Sequence, residues 1–134
     1  MPQRPARKIT IDYSQHNPRI QISLAECLLG LGFDLPGGIH PGTTSGTDIV
    51  VQWPGKMDVV HIEVEVIKSG SLKDKFPQWV RKLNAAAHAK ALIVVVHDTG
   101  WARTLIHGTT KPVHCVAFED WNHLVPTLAC HYLL

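Results

Sequence analysis

The sequence predicts an α/β fold in which a central mixed β-sheet is flanked by helices. Three observations carry this expectation. Ile20, Leu24, Cys27, Leu28 and Leu31 recur at helical spacing. Two alternating, β-branched stretches, Thr47–Trp53 and Asp58–Ile67, flank a Pro-Gly turn and read as a hairpin. Ala91–Val96 is an unbroken aliphatic run, the pattern of a strand covered on both faces.

Taken in order, residues 1–16 read as a loose N-terminal arm with a candidate short strand at Lys8–Tyr13. Asn17-Pro18 supplies an N-cap and a first helical position. Gly30 and Gly32 end that first helix, and Phe33–Leu35 is a candidate short edge strand. Residues 36–47 are rich in Gly, Pro, Thr and Ser and read as loop. Pro54-Gly55-Lys56-Met57 turns the hairpin, and Ser69-Gly70-Ser71 breaks its second strand.

A helix from about Leu72 to Ala87 follows, with Leu72, Phe76, Trp79, Val80 and Leu83 as its apolar stripe. Pro77 removes a backbone donor inside that pattern, so a start near Phe76, with Pro77 in the first turn, is the alternative. After the Ala91–Val96 strand, Gly100–His107 reads as a short helix. Pro112–Phe118 reads as a strand, and Asp120–Leu134 as a helical or irregular tail.

The chain has 134 residues, 45% of them apolar and 18% charged, which suits one domain over 1–134 with one core and argues against disorder. Its longest apolar run, Ala91–Val96, is too short to cross a bilayer. MPQRPARK is followed by no apolar segment, so no secretory signal is expected. Cys27, Cys115 and Cys130 have no Cys-x-x-Cys spacing, which excludes a disulfide framework and common zinc ribbons and points to the cytoplasm. Net charge is only +2. Yet Lys68, Lys73, Lys75, Arg81, Lys82 and Lys90 face a single acid, Asp74, between Val66 and Lys90. Such a strip is either a solvated helix face or a surface that attracts phosphates.

The hairpin concentrates the chemistry. Alternation places Val60, Ile62 and Val64 on one face and His61, Glu63 and Glu65 on the other. Asp48 shares its face with Val50. A turn centred on Gly55-Lys56 sets Asp48 directly opposite Glu63, and a longer turn still leaves it near the Glu63/Glu65 pair. Like charges facing each other destabilise a sheet. These carboxylates therefore either sit exposed at a sheet edge or bind a cation, for which hard oxygen ligands suit Mg²⁺, Mn²⁺ or Ca²⁺. His61, on the same face, is a candidate proton shuttle or a half-buried strand residue.

Gly46-Thr47-Asp48 on one strand, then fourteen residues, then Glu63-Val64-Glu65 on the next, resembles the PD-(D/E)xK nuclease superfamily. Type II restriction endonucleases and archaeal Holliday-junction resolvases belong to it. The resemblance spans residues 19–97. It implies a three-layer restriction endonuclease-like core and a metal-dependent endonuclease hydrolysing phosphodiester bonds in DNA. Asp48, Glu63 and Glu65 would ligate Mg²⁺ or Mn²⁺. Glu26, on the preceding helix, looks like the acid that some members add as a further ligand. The segment Lys75–Leu83 resembles the helix that often brings a Gln or Lys to the site, so Gln78 and Lys82, with Lys73 and Lys75, would contact DNA.

Two positions depart from the family pattern. Thr47 replaces Pro before the aspartate. Glu65 stands where the family most often has Lys, the residue that positions water and stabilises transition-state charge. Some restriction enzymes use Glu-x-Glu; in other members the lysine has moved to a neighbouring element. Lys68 is the first candidate for that role, with Lys73 and Lys75 behind it. The site so implied is Asp48, Glu63, Glu65 and Lys68, working in a homodimer on DNA. The alternative is a catalytically degenerate module that binds DNA or a protein partner.

Overall fold

The computed structural model describes residues 18–38, 47–65, 69–96 and 108–134, and for 18–19 and 69–74 the backbone alone. The expected strand at Lys8–Tyr13, residues 39–46 of the Gly/Pro loop and the expected helix Gly100–His107 lie outside the described residues. The described elements are α1 (Pro18–Gly30), β1 (Ile49–Gln52), β2 (Val59–Glu65), α2 (Ser69–Ala85), β3 (Ala89–Val96), β4 (Val113–Ala117) and α3 (Trp121–Leu133). A 3-10 turn, Phe118–Asp120, leads into α3. The strands form one sheet in the order β1-β2-β3-β4. β1 is antiparallel to β2, and β2, β3 and β4 are parallel. This is an α/β fold with a mixed sheet.

α1 is closed by its glycine. Phe33 N–H donates to the Leu28 carbonyl at 3.1 Å and Gly32 N–H to Leu29 at 3.0 Å. Gly32 sits at φ 100, the left-handed position that this C-cap requires. A side chain there would also press on the Trp53 ring at 3.2 Å. Phe33 and Leu28 share the core, which is the apolar contact that accompanies such a cap. The expected edge strand at Phe33–Leu35 is present as a single bridge, Asp34 to Gln52.

The hairpin turns at Pro54-Gly55, not at Gly55-Lys56. Lys56 N–H donates to the Trp53 carbonyl at 3.1 Å and Gly55 has φ 80, which makes a type II turn. The loop runs on to Asp58, and the register is still the one the sequence predicts, Ile49 opposite Ile62 and Gln52 opposite Val59.

Alternation then sorts the sheet into two faces. Ile49, Val51, Val60, Ile62, Val64, Ile93 and Val95 pack with Leu24 and Leu28 of α1 and Val125 and Ala129 of α3. Leu92, Val94 and Val96 pack with Phe76, Trp79 and Leu83 of α2. β3 is covered on both sides, which accounts for its continuous aliphatic sequence.

α2 starts earlier than the sequence predicts and passes through Pro77. Pro77 is exposed, so the hydrogen bond its ring removes lies on the water side of the helix. The far end is capped by a cation: Lys111 Nζ donates to the Leu83 carbonyl at 2.9 Å and the Ala86 carbonyl at 2.7 Å. The tail left open between helical and irregular is the helix α3. No helix among the described residues is long and apolar enough to cross a membrane.

Pro77 costs α2 a hydrogen bond without packing against the sheet. Pro77→Ala is therefore expected to raise the unfolding free energy by about 1–3 kcal/mol in urea titration. A loss of stability would mean that the ring supports the helix.

Candidate active site

Asp48, His61, Glu63 and Glu65 are exposed by only 7, 8, 4 and 4%. That excludes the solvent-exposed edge as the home of the carboxylates. They lie on the α2 side of the sheet, because the opposite side of β1 and β2 is committed to the α1/α3 core. Glu63 and Glu65 pair in register with Val94 and Val96 of β3, so apolar side chains wall them on one flank. Glu65, Val96 and Ala117 end the three parallel strands, the end of an α/β sheet at which ligands usually bind.

Asp48 stands just before β1 and is fixed by the backbone of β2: Val64 N–H donates to Asp48 Oδ2 at 2.9 Å. One register step beyond Ile49 and Ile62, it meets Glu63. The Glu63 carboxyl is pushed up to about 9, first by burial and then by the negative charge of Asp48, with which it shares a side-chain hydrogen bond. Lys82 acts against that rise. Glu63 is accordingly protonated at neutral pH, and the proton is what lets two buried carboxyl groups adjoin. His61 is held below the usual imidazole range by burial, then by Lys111 and Lys82, and is neutral at pH 7.

Glu65 has a different environment. Lys75 Nζ donates to Glu65 Oε1 at 2.7 Å and Oε2 at 2.8 Å. The acid's side chain is 5% exposed and the lysine's 43%. Lys75 and Lys82 are seven residues apart, so they share one rim of α2, about 10 Å apart along the axis. α2 runs back along β2. Lys75 thus meets Glu65 at the strand end, and Lys82 lies further back, toward Glu63 and His61.

The structure therefore gathers Asp48 with Glu63, and Glu65 with Lys75. It does not gather Glu26, which is exposed on α1 against the other face of the sheet. The expected additional ligand is displaced because the apolar stripe of α1 faces the α3 side. Gln78 is exposed and Lys82 half-buried. Lys68 lies outside the described residues, as does the side chain of Lys73. Among the described residues no three His, Cys, Asp or Glu side chains come together in a metal-binding group. Two carboxyl groups plus the Lys75–Glu65 pair are what the strand end offers. A concavity of about 550 Å³ lies elsewhere, between Val113 and His114 of β4 and Leu124 and Leu128 of α3.

Lys111 was not among the residues singled out in the sequence. It neighbours His61 only through the pairing of β4 beside β3, a tertiary relation with no local signal. No known family, curated protein or solved structure matches the chain.

The proton on Glu63 makes stability depend on pH. The folded chain holds it up to about pH 9, while the unfolded carboxyl releases it near its ordinary value of 4.5. Stability from this group is thus complete at low pH and falls as pH rises toward about 9. The lowered values of His61 and His114 act with the opposite sign and only below about pH 6.5. Urea midpoints between about pH 7 and 9 are expected to fall in the wild type. Glu63→Gln, which keeps the neutral shape, should flatten that slope. A slope unchanged by the substitution would place the titration elsewhere.

Proposed function

We propose that this chain is a divalent-metal-dependent endonuclease that hydrolyses phosphodiester bonds in DNA, on a restriction endonuclease-like core. One observation carries the reading above the others: Asp48 and Glu63 are buried side by side at the ligand-binding end of the sheet. Two buried acids cost folding free energy unless a cation or a proton neutralises them. The upward shift of the Glu63 carboxyl, from burial and the neighbouring Asp48, favours a proton in that role. The donors are hard carboxylate oxygens, which fit Mg²⁺ or Mn²⁺. The spacing of Asp48, Glu63 and Glu65 along the hairpin is the feature that resembles the PD-(D/E)xK superfamily.

Asp48 and Glu63 would hold the ion, with Glu65 alongside. Such an ion supplies Lewis acidity toward a phosphate oxygen and lowers the pKa of an attacking water. The chain's own groups do the rest. The Val64 N–H keeps Asp48 oriented, and Val94 and Val96 exclude bulk water on one flank. Lys75 brings positive charge to the strand end, where a phosphodiester would approach, and Lys82 brings it further back, toward Glu63. Hydrolysis forms one bond from a water oxygen to phosphorus and breaks the bond to a sugar oxygen. The water's proton passes to solvent and the departing oxygen takes one up. A homodimer belongs to this reading, because a core this small makes few contacts with a two-stranded substrate.

A second reading, a nuclease-like module that binds DNA or a protein without cutting, is favoured by one observation: Glu65 occupies the position where the superfamily most often has Lys.

A cleavage assay in Mn²⁺ and Mg²⁺ on supercoiled, single-stranded and branched DNA separates the two. Metal-dependent cutting that Asp48→Ala lowers by about 10²-fold or more is the expected result. DNA binding with a steep salt dependence, equal in wild type and variant and without cutting, would replace the first reading with the second.

A further inference from the structure

We infer that the end of the sheet opposite the candidate active site is a surface on which a second copy of this chain docks about a two-fold axis. The surface stands independently of the nuclease reading, and only its consequence for cleavage rests on that reading.

Three segments meet at that end. α1 finishes there, with Gly32 against the Trp53 ring. The loop between β1 and β2 carries Lys56, whose Nζ donates to the Leu133 carbonyl at the end of α3, at 3.3 Å. Asp34 pairs with Gln52 and brings Leu35 to the same end. These segments leave apolar side chains in water. Leu29 is 52% exposed, Leu31 44% and Met57 66%. Trp53 and Leu35 are half-buried. One exposed leucine needs no explanation, whereas apolar side chains gathered at one end of a fold mark a contact surface.

The charges at this end identify the occupant. Asp34 and Lys56 are both exposed. Asp34 forms no ion pair with any described residue. Lys56 commits one of its three donors to Leu133, and its charge is otherwise uncompensated. Asp58, next to Met57, is offset by Lys90 at 3.7 Å. One acid and one base on an apolar surface complement a second copy of that surface. About a two-fold axis, Asp34 of each copy meets Lys56 of the other, and the leucines and Met57 close between them. A nucleic acid or an anionic membrane would call for a surplus of positive charge, which the described residues of this end lack.

The arrangement sets where the two candidate sites lie. Met57 precedes β2 and Glu65 ends it, so about 20 Å of strand separates the patch from the site. Two copies joined at the patch hold their sites roughly 40 Å or more apart, at opposite ends of the pair. The grooves of B-DNA are only about 6 and 12 Å wide, so the two sites do not serve facing phosphates of one duplex. Each site cuts alone, and the dimer gains contacts where supercoiled or branched DNA brings two segments to it.

Sedimentation velocity of the full chain between about 1 and 100 μM tests the surface, and dimerisation in that range is expected of the wild type. Leu31→Glu combined with Met57→Glu is expected to raise the dimer dissociation constant about 10²-fold while far-ultraviolet circular dichroism stays that of wild type. Asp34→Lys and Lys56→Glu each set like charges opposite one another, and each is expected to raise it about tenfold. Mixed in equal amounts, those two variants are expected to pair with each other at near wild-type strength, because both contacts are then between unlike charges. Mixtures of wild type with Asp48→Ala are expected to cut DNA in proportion to the wild-type share.

A wild type that stays monomeric at about 100 μM would overturn the inference and assign the patch to another partner. So would a dimer indifferent to Leu31 and Met57, or one that the mixed charge variants fail to re-form. Cutting that falls with the square of the wild-type share would mean that the sites act together, and would equally overturn it. A chain that dimerises in this way but cuts no DNA removes the nuclease reading and leaves the surface standing. A monomer that cuts does the reverse.

Discussion

Two carboxyl groups buried against each other govern the rest of this site. Asp48 and Glu63 come from neighbouring strands, and both are almost wholly out of water. The Val64 N–H fixes one of them. Burial and the charge of Asp48 raise the pKa of the other and so favour its neutral form. Charges in such surroundings must be paired, protonated or bound to a cation, and here protonation of Glu63 and the lysines of α2 supply the compensation. Lys82 opposes the protonation of Glu63, and Lys75 neutralises Glu65 two residues along the strand. The helix that carries both lysines lies over the carboxylate side of the sheet because its apolar stripe must meet Leu92, Val94 and Val96. Packing thus delivers the positive charge.

Much of this was legible in the chain. Alternation along a hairpin assigns each side chain to a face, and one face of β1 and β2 is so uniformly aliphatic that the register could not slip. The pairing of Asp48 with Glu63 followed from it, even though the turn is centred one residue earlier than expected. The loop after the Pro54-Gly55 turn absorbs the difference and keeps Gln52 opposite Val59. The run Ala91–Val96 announced a strand covered on both faces, and β3 is that strand.

What stayed hidden depends on the third dimension. Glu26 has helical surroundings that suit a ligand, yet its helix lies on the other face of the sheet. Helical periodicity tells which side of a helix is buried but not which side of the sheet receives it. Lys75 stood in the sequence behind Lys68 as a candidate for the missing lysine, and only the antiparallel return of α2 sets it over Glu65. Lys111 reaches the end of α2 and acts on His61 only because β4 lies beside β3. Pro77 misplaced the start of α2, since the rule that proline ends a helix yields when the lost hydrogen bond faces water.

The proposed role of the Asp48–Glu63 pair as a cation site has a thermodynamic signature, since an arriving ion must displace the proton on Glu63. Calorimetric titration of Mn²⁺ at pH 7, in two buffers of different ionisation enthalpy, tests it most directly. Saturable binding that releases about one proton per ion is expected, with the release abolished by Glu63→Gln. Binding without proton release, or no binding at millimolar Mn²⁺, would contradict it.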